Sequence, residues 1–254
     1  MDRKFIDEID GQATFFKLYL QYSLSKEGRK LLDNIATKTS VYIFSGIIRN
    51  FFLGESSYRD LDIVVDNLDD IKEIIQHLES EVSVKNNSFG GLKLTIEGLN
   101  IDIWSIRNTW GIKKDGLKLT PESLLKTAFF NFSAIVFDYN NARFYYDEAF
   151  PDFLSTRMMN VVYESNPNIP LCIINTYYYR IKYGFGISLH LCIWIFVNYL
   201  GLSMRHQNRE KILENVQKKH FGSMIVDFTE LKDFVLNCGL HYRVGSPISP
   251  AFYG

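Results

Sequence analysis

Three aspartates carry the chemistry this sequence offers. Asp60 and Asp62 stand two residues apart in Asp60-Leu61-Asp62-Ile63-Val64-Val65, and Asp102 sits among apolar neighbours in Ile101-Asp102-Ile103-Trp104. Side chains at i and i+2 of a strand project from one face, so Asp60 and Asp62 point together. Adjacent carboxylates bind divalent cations and are costly to hold side by side unpaired. An acid in an otherwise apolar strand is either exposed on one face or poised for a task. Three such carboxylates on adjacent strands make a two-metal site for in-line phosphoryl transfer, one metal activating the attacking hydroxyl and the other steadying a triphosphate and its leaving pyrophosphate. Upstream, Phe44-Ser45-Gly46-Ile47 closes one apolar run and opens another of helical spacing. Small residues at that junction let a phosphate approach backbone N–H groups at the positive helix terminus.

Positioning these residues takes a sheet. Short apolar runs separated by turn residues predict strands at Val41–Phe44, Leu61–Val65, Leu92–Ile96, Ile101–Ile106, Ala134–Phe137 and Arg143–Tyr146. Glu97-Gly98-Leu99-Asn100 and Tyr139-Asn140-Asn141 read as hairpin turns between them. Apolar positions at helical spacing (Phe15, Leu18, Leu20, then Leu31, Leu32, Ile35) predict one or two leading helices, and further helices are expected at Ile47–Leu53, Ile71–Leu78 and Glu122–Phe130. After Phe150-Pro151 the strand pattern stops; Leu154–Tyr163, Leu171–Tyr183, Leu189–Leu200, Arg209–Lys219 and Phe228–Asn237 all read as helices. The expectation is an α+β domain over residues 1–150 and a helical domain over residues 151–254.

Composition bounds the function. The chain has 254 residues, 46% hydrophobic and 15% aromatic, enough for a sizeable core in one large or two modest domains. Lys+Arg 28 against Asp+Glu 29 gives a net charge of −1, which excludes a globally basic nucleic-acid coat and an acidic disordered tail but not a local phosphate site. Cys172, Cys192 and Cys238 form no CxxC and read as reduced core thiols, and the charged amino-terminal segment lacks the apolar core of a signal peptide. Leu189–Leu202, the most apolar stretch, is too short to span a bilayer and contains His190 and Asn198, so no stable membrane insertion and a cytoplasmic location are expected. His77, His190, His206, His220 and His241 show no zinc-ligand spacing, and no GxSxG or Ser-His-Asp arrangement supports hydrolase chemistry.

Taken together, the Gly turn, the DxD strand and the later apolar-flanked Asp resemble the polymerase-β nucleotidyltransferase superfamily. More narrowly they resemble the head domain of bacterial class II CCA-adding enzymes and poly(A) polymerases. That family opens with a GGxVRDxLLG-like run followed by kDhDhv, and Ser45, Gly46, Arg49, Leu53, Gly54, Asp60 and Asp62 stand where this pattern asks. Phe89–Arg107 is similar to the family's fGt…iDi…R hairpin, Glu122–Phe150 to the helix and hairpin that follow, and Ile169–Ile187 to the neck helix with its lGF end. The likeness spans roughly residues 41–187. It implies a nucleotidyltransferase head with a mixed β-sheet and flanking helices, followed by an all-helical neck and C-terminal domain. It also implies Mg²⁺ or Mn²⁺ on Asp60 and Asp62, with Asp102 as a further ligand or as base toward the attacking hydroxyl. Ser45 and Gly46 would cradle the triphosphate of a nucleoside or deoxynucleoside triphosphate.

The remaining positions weigh a site role against a plain one. Arg49 contacts the triphosphate or orients an acid, the plain alternative being a helix salt bridge. Arg107 follows the third acid and is otherwise structural; Lys113, Lys114 and Lys118 form a basic loop for triphosphate or primer, or a solvated one. Asn131 is the surviving residue of the family's RRDFTxN motif and would contact the sugar. Of the aromatics Tyr177, Tyr178, Tyr179, Tyr183 and Phe185, one is expected to stack on a base, with Tyr179 the candidate. Arg205–Lys211 with Lys218, Lys219 and His220 tracks an oligonucleotide or forms a solvated helix face, the latter favoured by Glu210 and Glu214.

The departures from the family pattern narrow the expectation. Asn50 replaces the usual Asp of the GGxVRD-like run, and the ribose-holding RRDFTxN motif reads Leu125-Lys126-Thr127-Ala128-Phe129-Phe130-Asn131, whose missing Asp implies relaxed discrimination against deoxynucleotides. The neck's EDxxR, whose Asp and Arg read the base edge, appears as Asn168-Ile169-Pro170-Leu171-Cys172, and Ile and Cys cannot present that donor–acceptor pattern. Synthesis of CCA on transfer RNA is therefore not expected. The reading is a template-independent nucleotidyltransferase making short oligonucleotides or labelling an oligonucleotide or protein hydroxyl. By overall likeness it is similar to Hailong-type defence nucleotidyltransferases, whose DNA-oligomer signal acts on a separate effector protein. The alternatives are single-nucleotide transfer to a protein or RNA, as in toxin or antitoxin nucleotidyltransferases, and an inactive nucleotide-binding scaffold.

Overall fold

The structure, a computed structural model, describes residues 8–55, 60–78, 82–87, 90–202 and 208–251. Arg59, Phe89, Arg205 and His206, and the first residues of the amino-terminal segment, lie outside that set. The chain divides into two compact units, one comprising Met1–Ala128 and Phe132–Leu154, the other Phe129–Asn131 and Ser155–Gly254.

The first unit begins with two helices, α1 (Ala13–Ser23) and α2 (Lys26–Ala36), the second capped by Ser25, whose Oγ accepts from the Gly28 N–H. Strand β1 (Val41–Phe44) leads into α3 (Gly46–Phe52), then β2 (Asp60–Val65). A 3-10 turn (Leu68–Ile71) runs into α4 (Lys72–Leu78), followed by β3 (Val84–Asn86), β4 (Leu92–Ile96) and β5 (Leu99–Ser105). Helices α5 (Trp110–Asp115) and α6 (Pro121–Leu125), strands β6 (Ile135–Asp138) and β7 (Arg143–Tyr146), and α7 (Ala149–Thr156) complete the series. The seven strands form one sheet in the order β3-β4-β5-β2-β1-β6-β7. Only β2 and β5 run parallel; every other neighbouring pair is antiparallel.

Period-two alternation explains which face is buried. Val41, Ile43, Leu61, Ile63, Val65, Ile101, Ile103, Ile135 and Phe137 point to one face and meet Phe16, Leu20, Leu31, Leu32, Ile35, Ile47 and Ile48 from the helices, forming the main core. The other face is covered along part of its length by a smaller cluster of Tyr42, Val64, Val136, Ile106, Ile112, Leu124 and Leu125, with Phe44 and Trp104 partly buried against it. That is why β2 alternates as Asp60-Leu61-Asp62-Ile63 and then turns continuously apolar.

Turn chemistry accounts for the strand connections. Between β4 and β5, Glu97 (φ 48°) and Gly98 (φ 84°) both take positive φ, as a two-residue hairpin turn requires. Between β6 and β7, the Asn140 side chain accepts from the Val41 N–H (2.9 Å) and donates to Ala36 O (2.8 Å). Next to it, the Tyr139 hydroxyl donates to Asp33 Oδ1 at 2.6 Å, and Lys17 Nζ donates to Tyr139 O at 3.0 Å. The leading helices are thus pinned to the end of the sheet.

The second unit is helical: α8 (Ile169–Tyr183), α9 (Leu189–Gly201), α10 (Arg209–Phe221) and α11 (Phe228–Val244). Side chains of Ser188, Asn208 and Asp227 cap the last three of these at their starts. Gln217, 1% exposed, organises the link from α10 to α11 by accepting from the Ile225 and Val226 N–H groups and donating to Val226 O. Cys172, Cys192 and Cys238 are free and buried. No helix among the described residues is long and apolar enough to cross a membrane.

Four local expectations differ. The helix expected at Glu122–Phe130 ends at Leu125, because Phe129–Asn131 are drawn into backbone pairing within the second unit: the Val162 N–H donates to Phe129 O (2.7 Å) and the Asn131 N–H to Asn160 O (3.0 Å). The helix expected at Leu154–Tyr163 stops at Thr156, where Arg157 takes a positive φ (55°), and a two-residue strand β8 (Met158–Met159) pairs in parallel with β9 (Gly186–Ile187). Lys113 and Lys114 lie on the short helix α5 rather than in a loop. Asn100, expected in a turn, is inside β5.

Loss of the Tyr139 hydroxyl should be measurable. Tyr139→Phe is expected to cost about 1.5 kcal/mol at neutral pH by urea unfolding, because the bond to a carboxylate is lost. Burial and the Asp33 carboxylate push the Tyr139 hydroxyl well above the ordinary tyrosine value. The unfolded chain therefore ionises first, near pH 10. The hydroxyl's contribution is complete below that pH and fades as pH rises beyond it. The wild-type and Phe stability curves should converge in alkali; a constant gap would contradict this account.

Candidate functional site

The pairing of β2 with β5 brings the acids together. Asp62 is directly opposite Asp102, and Asp60 is opposite Asn100, across neighbouring parallel strands. Strands in a sheet lie about 4.8 Å apart, so the two carboxylates stand abreast on one face. Asp60, Asp62 and Asp102 are all half-buried, while the intervening Leu61, Ile101 and Ile103 are buried in the main core. Both strands switch at the same level from acid to apolar side chain, at Val64 opposite Trp104. The acids therefore occupy the part of this face that the smaller hydrophobic cluster leaves uncovered.

A single row of side chains crosses six strands at this level: Lys93, Asp102, Asp62, Phe44, Val136 and Tyr145. Lys93 on β4 reaches Asp102 Oδ2 with Nζ at 3.1 Å. Asp102 Oδ1 is buried and accepts no hydrogen bond. In the next row, the Thr95 hydroxyl donates to Asn100 Oδ1 (3.1 Å) and Asn100 Nδ2 to Asp60 Oδ1 (3.4 Å). On the opposite side the Phe44 and Trp104 rings meet edge to face with centroids 6.4 Å apart, and the Trp104 indole N–H is held by Thr109 Oγ1. Gly91 lets β4 approach there: a Cβ on it would lie 2.9 Å from Ile103 O and 2.9 Å from Trp104 Cβ. Lys93 and Asn100 escape a reading of the sequence; the signal available was their place two residues from other members of the same strand face.

The carboxyl end of β1 opens on the same neighbourhood, since Phe44 is the register partner of Asp62. Ser45, next in the chain, has φ 62° and ψ −102°, and its side chain makes no capping bond to α3. Such backbone is adopted by a non-glycine residue only at a cost. Gly46 faces open space, with nothing within 4 Å of where a Cβ would be.

Other candidates are placed as follows. Arg49 is buried on α3, donating to Asn50 Oδ1 from Nε (3.0 Å) and from Nη2 (2.7 Å), with its guanidinium 5.4 Å from the Phe132 ring centroid. Arg107 lies exposed beyond the far end of β5, away from Asp60, where it acts electrostatically on Asp69. Lys113, Lys114 and Lys118 are exposed. In the second unit, Asn131 is buried and spends its side chain on backbone, donating to Met158 O (2.9 Å) and accepting from the Asn160 N–H (2.9 Å). Tyr179 belongs to an aromatic ladder, stacking on Tyr183, which in turn stacks on Phe185 (centroids 6.0 and 5.0 Å), with Phe130 edge-on to Tyr179. At the start of α8, Cys172 is buried, and burial pushes its thiol up. Among the described residues, no three His, Cys, Asp or Glu side chains are gathered into a ready-made metal cluster.

No protein-family model matches the chain, and no curated protein matches it by sequence. Solved structures do match it. A CCA-adding enzyme in an apo form is similar at 16% identity with a TM-score of 0.62, over 87% of this chain and 53% of that one. A tRNA-processing enzyme with CTP is similar at 20% identity and TM-score 0.57, over 83% of this chain and 56% of the other. A tRNA nucleotidyltransferase complexed with a primer tRNA and an incoming ATP analog is similar at 20% identity and TM-score 0.57, over 83% and 60%. The chain spans little more than half the length of these proteins, and what it shares with them is the fold.

The Ser45 backbone yields a direct test. Ser45→Gly should raise stability by about 1 kcal/mol, the strain relieved less the extra freedom glycine gives the unfolded chain. The thermal midpoint should rise by about 3 °C. Ser45→Ala, which keeps the strain, should show no such rise. Equal midpoints for the two variants would mean that position 45 stores no strain.

Proposed function

We propose that the chain is a metal-dependent, template-independent nucleotidyltransferase that joins a nucleoside or deoxynucleoside monophosphate unit to a hydroxyl acceptor and releases pyrophosphate. The observation that carries this reading is the register pairing of Asp62 with Asp102, with Asp60 on the same face. Supporting it, Asp102 Oδ1 is buried without a donor. A bare carboxylate oxygen is costly to bury, and a divalent cation is a group that satisfies it. The residues present fit such an ion: Asp60, Asp62 and Asp102 would hold Mg²⁺ or Mn²⁺.

When bound, divalent cations would supply neutralisation of triphosphate charge and acidification of the attacking hydroxyl. The chain's own residues do the rest. Asp102, on the neighbouring strand, would serve as a further ligand or take the hydroxyl proton. Asp60 is oriented by Asn100. Gly46 would offer open space to the triphosphate, whereas the Ser45 N–H is already donated to Ile135 O (3.4 Å). The acceptor oxygen bonds to the α-phosphorus as the bond to the β-phosphate oxygen breaks, so pyrophosphate carries away the leaving electron pair.

The finer reading is synthesis of short DNA or RNA oligomers, of the kind made by Hailong-type defence enzymes for a separate effector protein. Support comes from Thr127, which brings no carboxylate to the place where the family's ribose-holding motif has an Asp. Transfer RNA as acceptor is disfavoured because Ile169 and the buried Cys172 present no base-reading groups. Asn131 and Arg107 are better read as structural, Asn131 because its side chain is already committed to backbone.

Incubating the purified chain with each labelled NTP and dNTP in Mg²⁺ or Mn²⁺ tests the proposal. A ladder of products is expected; a single label on protein would redirect it to protein modification, and silence in every condition would sink it. Asp60→Ala and Asp62→Ala should each lower the rate about a thousandfold, equivalent to several kcal/mol of transition-state stabilisation.

A further inference from the structure

We propose that Lys93 is a resident counter-ion that competes with the divalent cation for Asp102 and so sets the metal concentration at which the site fills. The inference rests on the three-acid reading above and adds a residue that reading does not require. Lys93 and Asp102 are register partners on β4 and β5, and Nζ stands 3.1 Å from Oδ2. The two ends of this ion pair differ in surroundings: the Lys93 side chain is 60% exposed, that of Asp102 only 22%. Asp102 thus has one oxygen on an ammonium and the other, Oδ1, buried and bare. Its strand neighbour on the other side is another acid, Asp62.

This arrangement has a definite electrostatic character. The Lys93 ammonium offsets the Asp102 carboxylate from the strand on the far side of Asp102 from Asp62. A dication held by both acids would compensate both and would satisfy Oδ1 as well. The ammonium and the dication repel each other at the distance of a shared carboxylate, so occupancy by one disfavours the other. Lys93 can leave at little cost: its stem is flexible, it is mostly in solvent, and an exposed ion pair contributes at most about 1 kcal/mol. A lysine that served only to brace β4 against β5 would affect stability without affecting metal affinity.

The test is Mn²⁺ titration of the full chain, without nucleotide, read by calorimetry and by water-proton relaxation. Lys93→Met should tighten Mn²⁺ binding about fivefold, the equivalent of a well-formed exposed ion pair. Lys93→Arg, whose guanidinium grips a carboxylate in two-point fashion, should weaken it. Asp62→Asn supplies the control, in which binding should be lost. If Asp62→Asn abolishes binding but Lys93→Met binds no tighter than wild type, the metal site stands and the role of Lys93 is overturned. If Mn²⁺ binds neither the wild type nor Lys93→Met, both the inference and the three-acid reading fall.

Discussion

Two carboxylates standing abreast on parallel strands repel each other, and the first unit is built so that the strands cannot move apart to relieve them. On the reverse of the same strands, Leu61, Ile63, Ile101 and Ile103 are locked into the main core against Ile47 and Ile48. The register of β2 on β5 is therefore fixed by hydrophobic burial on one face and expressed as electrostatics on the other. Lys93 offsets part of the resulting charge, and Asn100 donates a hydrogen bond to Asp60. Asp102 Oδ1 stays buried without a donor.

The rest of the unit frames that face. The cluster around Val64, Val136 and Leu124 covers one end of it, and the Phe44 and Trp104 rings form the boundary between dry and open surface. Low polarizability on that side strengthens every charge interaction beside it. The strained Ser45 turn brings the start of α3 to the same level, so the sheet face and the strand-to-helix turn address one space. Arg49 and Asn50 hold each other beneath this turn in the buried part of α3, which ties the turn to the interior of the unit.

Much of this was legible in the residues. The pattern of Asp60-Leu61-Asp62-Ile63-Val64-Val65 reveals both the strand and the point at which its second face becomes covered. The Glu97-Gly98 turn fixes the β4–β5 hairpin that carries Asp102. What local pattern does not reveal is pairing between strands distant in sequence, so Lys93 and Asn100 could be found only once their registers were known. Phe129 and Phe130 misread as helix for a related reason. Their apolar spacing suits a helix, but pairing with Asn160 and Val162 wins, a tertiary choice that overrides propensity. The three-residue β3 is polar, short and at the sheet edge, and so carries no apolar alternation to detect.

The alternation of β2 also guards against a half-made site. Slipping this strand by one residue against β5 would turn Asp60 and Asp62 inward among Leu94, Ile101 and Phe137 and push Leu61 and Ile63 into water. Such a chain would bury two charges without partners and forfeit several apolar side chains, an error far larger than the whole margin by which a domain stays folded. Misregistered molecules therefore unfold rather than persist with displaced acids. Proofreading of the geometry is done by the folding equilibrium itself.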